Sequence, residues 1–233
     1  MGLSLYTNDP RKLATLHNGP IPLHMTFRIV TFAALLLLGD TLHAEHYLGA
    51  TITTRCTSGN FHEVTLQVFR NCTGSALASQ QLHFTNECGV EFDLDLSTPS
   101  STTDVSPLCA AQLINSSCNG GSLLGVELAT FTTTTYLSPC ANWRISWGIC
   151  CRGSSLNVVS TPGMYVETVL SNANGECASS PVFDLDIIPT VCSGRSVSHY
   201  ASASGDPSHR LSYHLINARF ASPSPMPLSY ASG

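Results

Sequence analysis

Ten cysteines, at positions 56, 72, 88, 109, 118, 140, 150, 151, 177 and 192, all follow a short apolar run at residues 29–38. That order narrows the fold more than any other feature of the chain. Met25, Thr26, Phe27 and Arg28 precede the run, and Gly39, Asp40, Thr41, Leu42, His43 and Ala44 follow it. One positive charge, about ten apolar residues and a small residue at the end are the parts of a secretory signal peptide. Residues 25–44 are therefore read as the signal, cleaved after Ala44. A membrane-spanning helix needs about 20 apolar residues, and Asp40 ends this run well short of that. No stable membrane span is expected after cleavage. Residues 1–24, with Asp9-Pro10, Gly19-Pro20 and Pro22 and no apolar face, read as a mis-called extension ahead of Met25.

An even number of cysteines in a secreted chain is the arithmetic of a disulfide framework, so all ten are expected to pair, although ten allow about 945 pairings. A zinc site is the competing use of cysteine, but no C-x-x-C repeats and no histidine is spaced beside the cysteines in the way such sites require. Of the 233 residues 43% are hydrophobic and 11% charged, too apolar for a disordered chain. One lysine and nine arginines are scattered singly in a chain of net charge -5, leaving no basic stripe for nucleic acid. The composition points outside the cytoplasm.

A period of two recurs along the mature chain. Val64, Leu66 and Val68 alternate with Glu63, Thr65 and Gln67, and Leu48, Ala50 and Ile52 alternate with Gly49, Thr51 and Thr53. With the turn cluster Thr57-Ser58-Gly59-Asn60 between them, these runs predict a β-hairpin. Further strands are predicted at residues 90–96, 126–134, 143–149, 164–170, 196–201 and 210–216, and a turn or two of helix at 108–114. Many short strands separated by turn residues mean a sandwich or barrel. In the 143–149 strand Trp143, Ile145, Trp147 and Ile149 share the apolar face, which places Cys151 inward and Cys150 outward and gives the two different partners. Cys56 lies near the hairpin turn and Cys72 at its far end, about 36 Å away at strand rise, so each is expected to pair with a later strand.

The cysteines thin out after Cys177-Ala178-Ser179-Ser180-Pro181, and only about fifty residues remain, too few for a complete sandwich. Residues 45–178 read as a Cys-rich, disulfide-stapled antiparallel β-sandwich. Residues 179–233 read as a truncated second β-domain, poorly ordered in isolation.

Four stretches carry a family resemblance: His46-Tyr47-Leu48-Gly49-Ala50-Thr51-Ile52-Thr53; Val64-Thr65-Leu66-Gln67-Val68-Phe69-Arg70-Asn71-Cys72; Arg144-Ile145-Ser146-Trp147-Gly148-Ile149-Cys150-Cys151-Arg152; and Cys177-Ala178-Ser179-Ser180-Pro181-Val182-Phe183. In sequence and in order they resemble the N-terminal region of the gliding-motility-associated surface proteins of the Bacteroidetes. The resemblance spans roughly residues 45–232. It implies a secreted, often surface-attached protein of the type IX secretion kind, adhesive in character, whose second domain is a partial Ig-, cadherin- or PKD-like sandwich. In such proteins an acidic loop of the second domain suits Ca²⁺. Here the equivalent loop, residues 201–206, keeps only Asp206, one carboxylate where a calcium site needs several.

Other candidate sites have simpler readings beside them. Asp93 with Asp95, and Asp184 with Asp186, put two carboxylates on one strand face, as metal binding or acid/base work requires; a solvent-facing edge guarded by acid is the simpler use. His199, His209 and His214 fit no zinc spacing and read as surface histidines. Trp143, Trp147, Tyr136 and Tyr165 would suit a sugar-binding face, but the two tryptophans share the inward face and read as core. Asn71-Cys72-Thr73 and Asn115-Ser116-Ser117 match the N-glycosylation pattern. No catalytic motif, metal or other cofactor is read from the chain.

The expectation is thus a secreted or cell-surface structural or adhesion-type protein without catalytic activity, whose partner is a surface glycan or protein. A carbohydrate-binding module and an extracellular hydrolase working through Asp93 and Asp95 are the alternatives.

Overall fold

The computed structural model describes residues 47–150, 152, 157–158, 163–184, 196, 202–222 and 224–231. The signal segment, Cys151, Cys192, Asp186, His199 and all but the first residue of the 196–201 strand lie outside them. The predicted hairpin is present as β1, Tyr47–Ser58, and β2, Phe61–Asn71, turning at Gly59 with a φ of 54°. On β2 the alternation is visible directly: His62, Val64, Leu66 and Val68 are buried while Glu63, Thr65 and Gln67 are half-exposed. β6, Val126–Tyr136, pairs antiparallel with β2, and β5, Ser101–Asp104, pairs with β6, giving a sheet in the order β1-β2-β6-β5. Ile52 lies opposite Leu66, and Leu66 opposite Phe131, so one face of this sheet is apolar. Along the other face Thr53, Thr65 and Thr132 are in register.

The second sheet contains β3, Gln80–Thr85; β4, Glu91–Leu96; β7, Trp143–Ile149; β8, Met164–Leu170; β11, Arg219–Ser222; and β12, Ser224–Pro227, in the order β12-β11-β8-β7-β3-β4. Its inward side chains, among them Leu82, Phe84, Trp143, Ile145 and Trp147, join Ile52, Val64, Leu66, Val68 and Phe131 of the first sheet in one core. Rings meet there edge to face or stacked: Tyr47 with Trp147 at 5.7 Å, Phe84 with Phe92 at 4.7 Å, and Phe92 with Trp143 at 6.1 Å between centroids. The indole N–H groups are satisfied, Trp143 Nε1 donating to Ser138 O and Trp147 Nε1 to Gln80 Oε1, both at 2.9 Å. The chain is an all-β protein of antiparallel sheets, as the alternation predicts. Two further short strands, β9, Val182–Phe183, and β10, Ala203–Ser204, pair with each other.

One predicted strand is displaced. Residues 210–216 form no strand, and Leu215 and Ile216 are exposed. Their alternation has no face to bury, whereas β11 finds a partner in β8 through Arg219 opposite Tyr165 and a hairpin partner in β12. The predicted helical turns are 3-10 turns at Ala110–Asn115 and Ser117–Asn119.

Among pairs of described residues, three disulfides staple the sheets and loops: Cys56–Cys177, Cys72–Cys118 and Cys88–Cys140, with Cα separations of 5.3, 4.9 and 6.2 Å. Cys56 and Cys72 thus find later partners, in loops and turns rather than strands. Cys150 is exposed and disulfide-bonded. Cys109 departs from the expectation that all ten pair. It stands exposed at the start of the Ala110–Asn115 turn as a free thiol among the described residues.

The first staple is continued by hydrogen bonds. Cys56 N donates to Ser179 Oγ at 3.0 Å, Thr54 N to Ser180 Oγ at 2.8 Å, and Ser180 N to Thr54 O at 2.9 Å. The Cys-Ala-Ser-Ser segment is therefore a clip along the outer edge of β1, with hydroxyl oxygens accepting from two of its N–H groups. The boundary expected at residues 178–179 falls inside this clip.

A second knot surrounds Asp104 at the end of β5. Its Oδ1 accepts from Ser106 N at 2.9 Å and from Ser106 Oγ, and its Oδ2 accepts from Ser116 Oγ at 2.7 Å and Asn119 Nδ2 at 3.1 Å. Burial opposes its ionisation, but these donors outweigh burial and hold its pKa below the ordinary carboxylate value. A depressed folded-state pKa contributes stability above the unfolded pKa and loses it as pH falls through the folded one. Urea unfolding is accordingly expected to show stability declining below about pH 4. Asp104→Ala is expected to cost about 2–3 kcal/mol at pH 7, because the buried Ser106 and Ser116 hydroxyls lose their acceptor, and to flatten the acid decline. An unchanged acid limb in that variant would remove Asp104 from the account.

Candidate functional site

The strand period that sends Trp143, Ile145 and Trp147 inward sends Arg144 outward on β7, and sends Tyr165 and Glu167 outward on β8. Pairing of β11 with β8 then brings in Arg219, opposite Tyr165. Three side chains from three strands converge on one carboxylate. Glu167 Oε2 accepts from Tyr165 Oη at 2.7 Å and from Arg144 Nη1, and Oε1 accepts from Arg219 Nη1 at 2.9 Å. Burial raises the pKa of Glu167, yet Tyr165, Arg144 and Arg219 together bring it below the ordinary value. The Tyr165 hydroxyl is pushed up, by burial first and then by its bond to Glu167. The Arg144 guanidinium is pushed up chiefly by its bond to Glu167. At neutral pH these shifts hold Glu167 and Arg144 charged and the Tyr165 phenol neutral.

Two hollows flank it. One, of about 390 Å³, is walled by Ala50 and Ile52 of β1, Tyr165 and Val166 of β8, Phe183 and Tyr230. The other, of about 590 Å³, is lined by Arg144, Arg219, Pro225 and Pro227 together with Ile216 and Asn217. Ile216, Asn217 and Arg219 line both, so the two form one trough. Ile216, Phe183 and Tyr230 are 66%, 48% and 45% exposed, an apolar surface open to solvent beside fixed charges. Such a surface can bind a ligand with flat apolar faces and polar edges.

The residues singled out from sequence lie elsewhere, with one exception. Asp93 and Asp95 are on the outward face of the edge strand β4, each already partnered across the β3 pairing: His83 Nδ1 lies 2.6 Å from Asp93 Oδ1, and Gln81 Nε2 donates to Asp95 Oδ1 at 2.9 Å. Asp184 is exposed and accepts from Ser204 Oγ at 3.4 Å. His209 and His214 are exposed, and Asp206 closes a local turn by accepting from Ser208 N and Oγ, bonds that lower its pKa. Among the described residues no three His, Cys, Asp or Glu side chains are grouped to hold a metal ion. Trp143 and Trp147 are buried in the core. Tyr136 is exposed and packs edge-on against Phe61 at 5.4 Å, remote in register from the trough. Asn71 Oδ1 accepts from Thr73 N and Oγ in a turn, and Asn115 Nδ2 donates to Gln112. Only Tyr165 belongs to the trough.

Glu167, Arg219, Ile216 and Tyr230 carried no motif, and Arg144 and Phe183 stood in the resemblance stretches with no binding role read for them. Their one signal was the polar phase of the two strands whose apolar phase marked the core, Arg144 on 143–149 and Glu167 on 164–170. The fold defines a class, an all-β protein of antiparallel sheets stapled by disulfides. No family model, no curated protein and no solved structure matches the chain.

Proposed function

We propose that this is a secreted or cell-surface protein of structural or adhesive type, without catalytic activity, that holds a partner in the trough between β1, β8 and β11. The observation carrying the reading is the trough itself. Its exposed apolar side chains, Phe183, Ile216 and Tyr230, stand beside β1 and β8, and its charges are fixed by mutual bonds rather than left to react. The three disulfides fit a protein of an oxidising, non-cytoplasmic compartment, and the motif resemblance to gliding-motility-associated surface proteins supports the same reading. A carbohydrate-binding module is the favoured form of it, because Tyr165, Phe183 and Tyr230 give the trough three aromatic side chains.

The test is binding of the secreted, oxidised chain to a panel of immobilised extracellular polysaccharides and matrix proteins, comparing wild type with Phe183→Ala/Tyr230→Ala. Both rings are about half-exposed, so the double variant is expected to fold and to lose affinity about tenfold or more. Equal binding by both forms to every surface would sink the assignment of the trough. Non-reducing peptide mapping of the same material is expected to return Cys56–Cys177, Cys72–Cys118 and Cys88–Cys140.

A further inference from the structure

We infer that the trough takes a saccharide bearing a carboxylate, a uronate, with the acid group held between Arg144 and Arg219. This rests on the binding reading above and names its ligand class. The argument begins with charge. Arg55 pairs with Glu63, and Arg70 with Glu127, one to one. Arg144 and Arg219 share the single carboxylate of Glu167, leaving one positive charge in surplus in a chain of net charge -5. Both guanidiniums line the 590 Å³ hollow. Each gives Glu167 one donor, Nη1, of the five N–H groups a guanidinium carries, and Arg144 bonds also to Tyr165, so N–H groups for a second carboxylate remain on both.

The neighbouring hollow selects what the carboxylate is attached to. Its aromatic residues Tyr165, Phe183 and Tyr230 stand beside a polar one, Asn217. A pyranose ring has the matching character: C–H faces that lie on rings and hydroxyl edges that bond to amides and hydroxyls. An acidic peptide adding as a strand is the poorer fit. β12 is the edge of this sheet, and its Pro225 and Pro227 supply no N–H, while the outer edge of β1 is occupied by Ser179 and Ser180.

The experiment is affinity electrophoresis of the full secreted chain in native gels containing polygalacturonate, its methyl ester, dextran sulfate or polyglutamate. Polygalacturonate is expected to retard the protein, less so as salt rises, and the methyl ester, which keeps the sugar and removes the charge, is expected not to. Arg219→Gln and Arg144→Gln are each expected to weaken the retardation about tenfold or more. Arg55→Gln, which removes the same charge from the other sheet, is expected to leave it intact. Arg219→Lys keeps the ion pair with Glu167 and loses the fork, so it is expected to weaken retardation while preserving the melting temperature. Equal retardation by the methyl ester with silent arginine variants would overturn the uronate and leave the binding trough standing. Retardation by dextran sulfate alone, or by polyglutamate as strongly as by polygalacturonate, would overturn the ligand class. No retardation by any of the four would overturn the inference, and the trough would then stand or fall on Phe183→Ala/Tyr230→Ala against the wider panel.

Discussion

Replacing Cys56 and Cys177 together by alanine is expected to lower the unfolding free energy by about 4–5 kcal/mol. The bond joins residues 121 apart in sequence, and the entropy removed from the unfolded chain grows with the logarithm of that span. The spans of 46 and 52 residues closed by Cys72–Cys118 and Cys88–Cys140 give about 4 kcal/mol each on the same relation. Losing the first staple should exceed the others for a second reason, since it also releases Ser179 and Ser180 from the backbone of β1. Against a typical domain stability of about 5–15 kcal/mol, the variant is left marginal. Urea titration of the double variant beside the other two pairs tests the order. A loss under about 1 kcal/mol would show that the clip holds β1 without its staple.

Trp147→Ala is expected to cost about 3–5 kcal/mol, as for other large aromatic truncations in a packed core. Trp147 is 2% exposed, packs edge to face with Tyr47 and donates to Gln80, itself 4% exposed. Removing the indole leaves both a cavity and a buried amide oxygen without its donor. Trp147→Phe separates the two contributions: it keeps most of the ring volume and loses the hydrogen bond, for an expected cost of about 1–3 kcal/mol. Adding Gln80→Leu to Trp147→Phe should recover part of that loss, because the stranded amide is then gone. If Trp147→Phe were as stable as wild type, the Gln80 bond would carry no net stabilisation.

The strands that were legible in the sequence are those with a long apolar phase. β1, β2, β4, β6, β7 and β8 each bury three or more alternating side chains or pair along most of their length, and their positions followed from period two alone. β5 has no apolar residue in Ser101–Asp104 and is a strand only because β6 offers it an edge. β3 holds just Leu82 and Phe84 between glutamines and a histidine, too few for a pattern. Alternation misled at residues 210–216, where Leu211, Tyr213 and Leu215 have a strand-like spacing but no sheet to lie on. The trough was illegible for a different reason. It is assembled from the solvent-facing phase of β7 and β8, from Phe183 and from residues 216–230, and only strand pairing decides which polar side chains become neighbours. The double serine of the 177–183 stretch stood out in the sequence as a motif. Its purpose is visible only where its hydroxyls meet the backbone of β1.

That clip also bears on how copies of this protein behave when crowded. A sheet recruits neighbours through its rims, and among the described residues each rim of the two large sheets is blunted in its own way. Serines occupy β1, prolines interrupt β12, β4 carries the acidic Glu91, Asp93 and Asp95, and β5 spans only Ser101–Asp104. Molecules displayed side by side at high density would therefore remain separate, each presenting its own trough, instead of zipping into a continuous fibre.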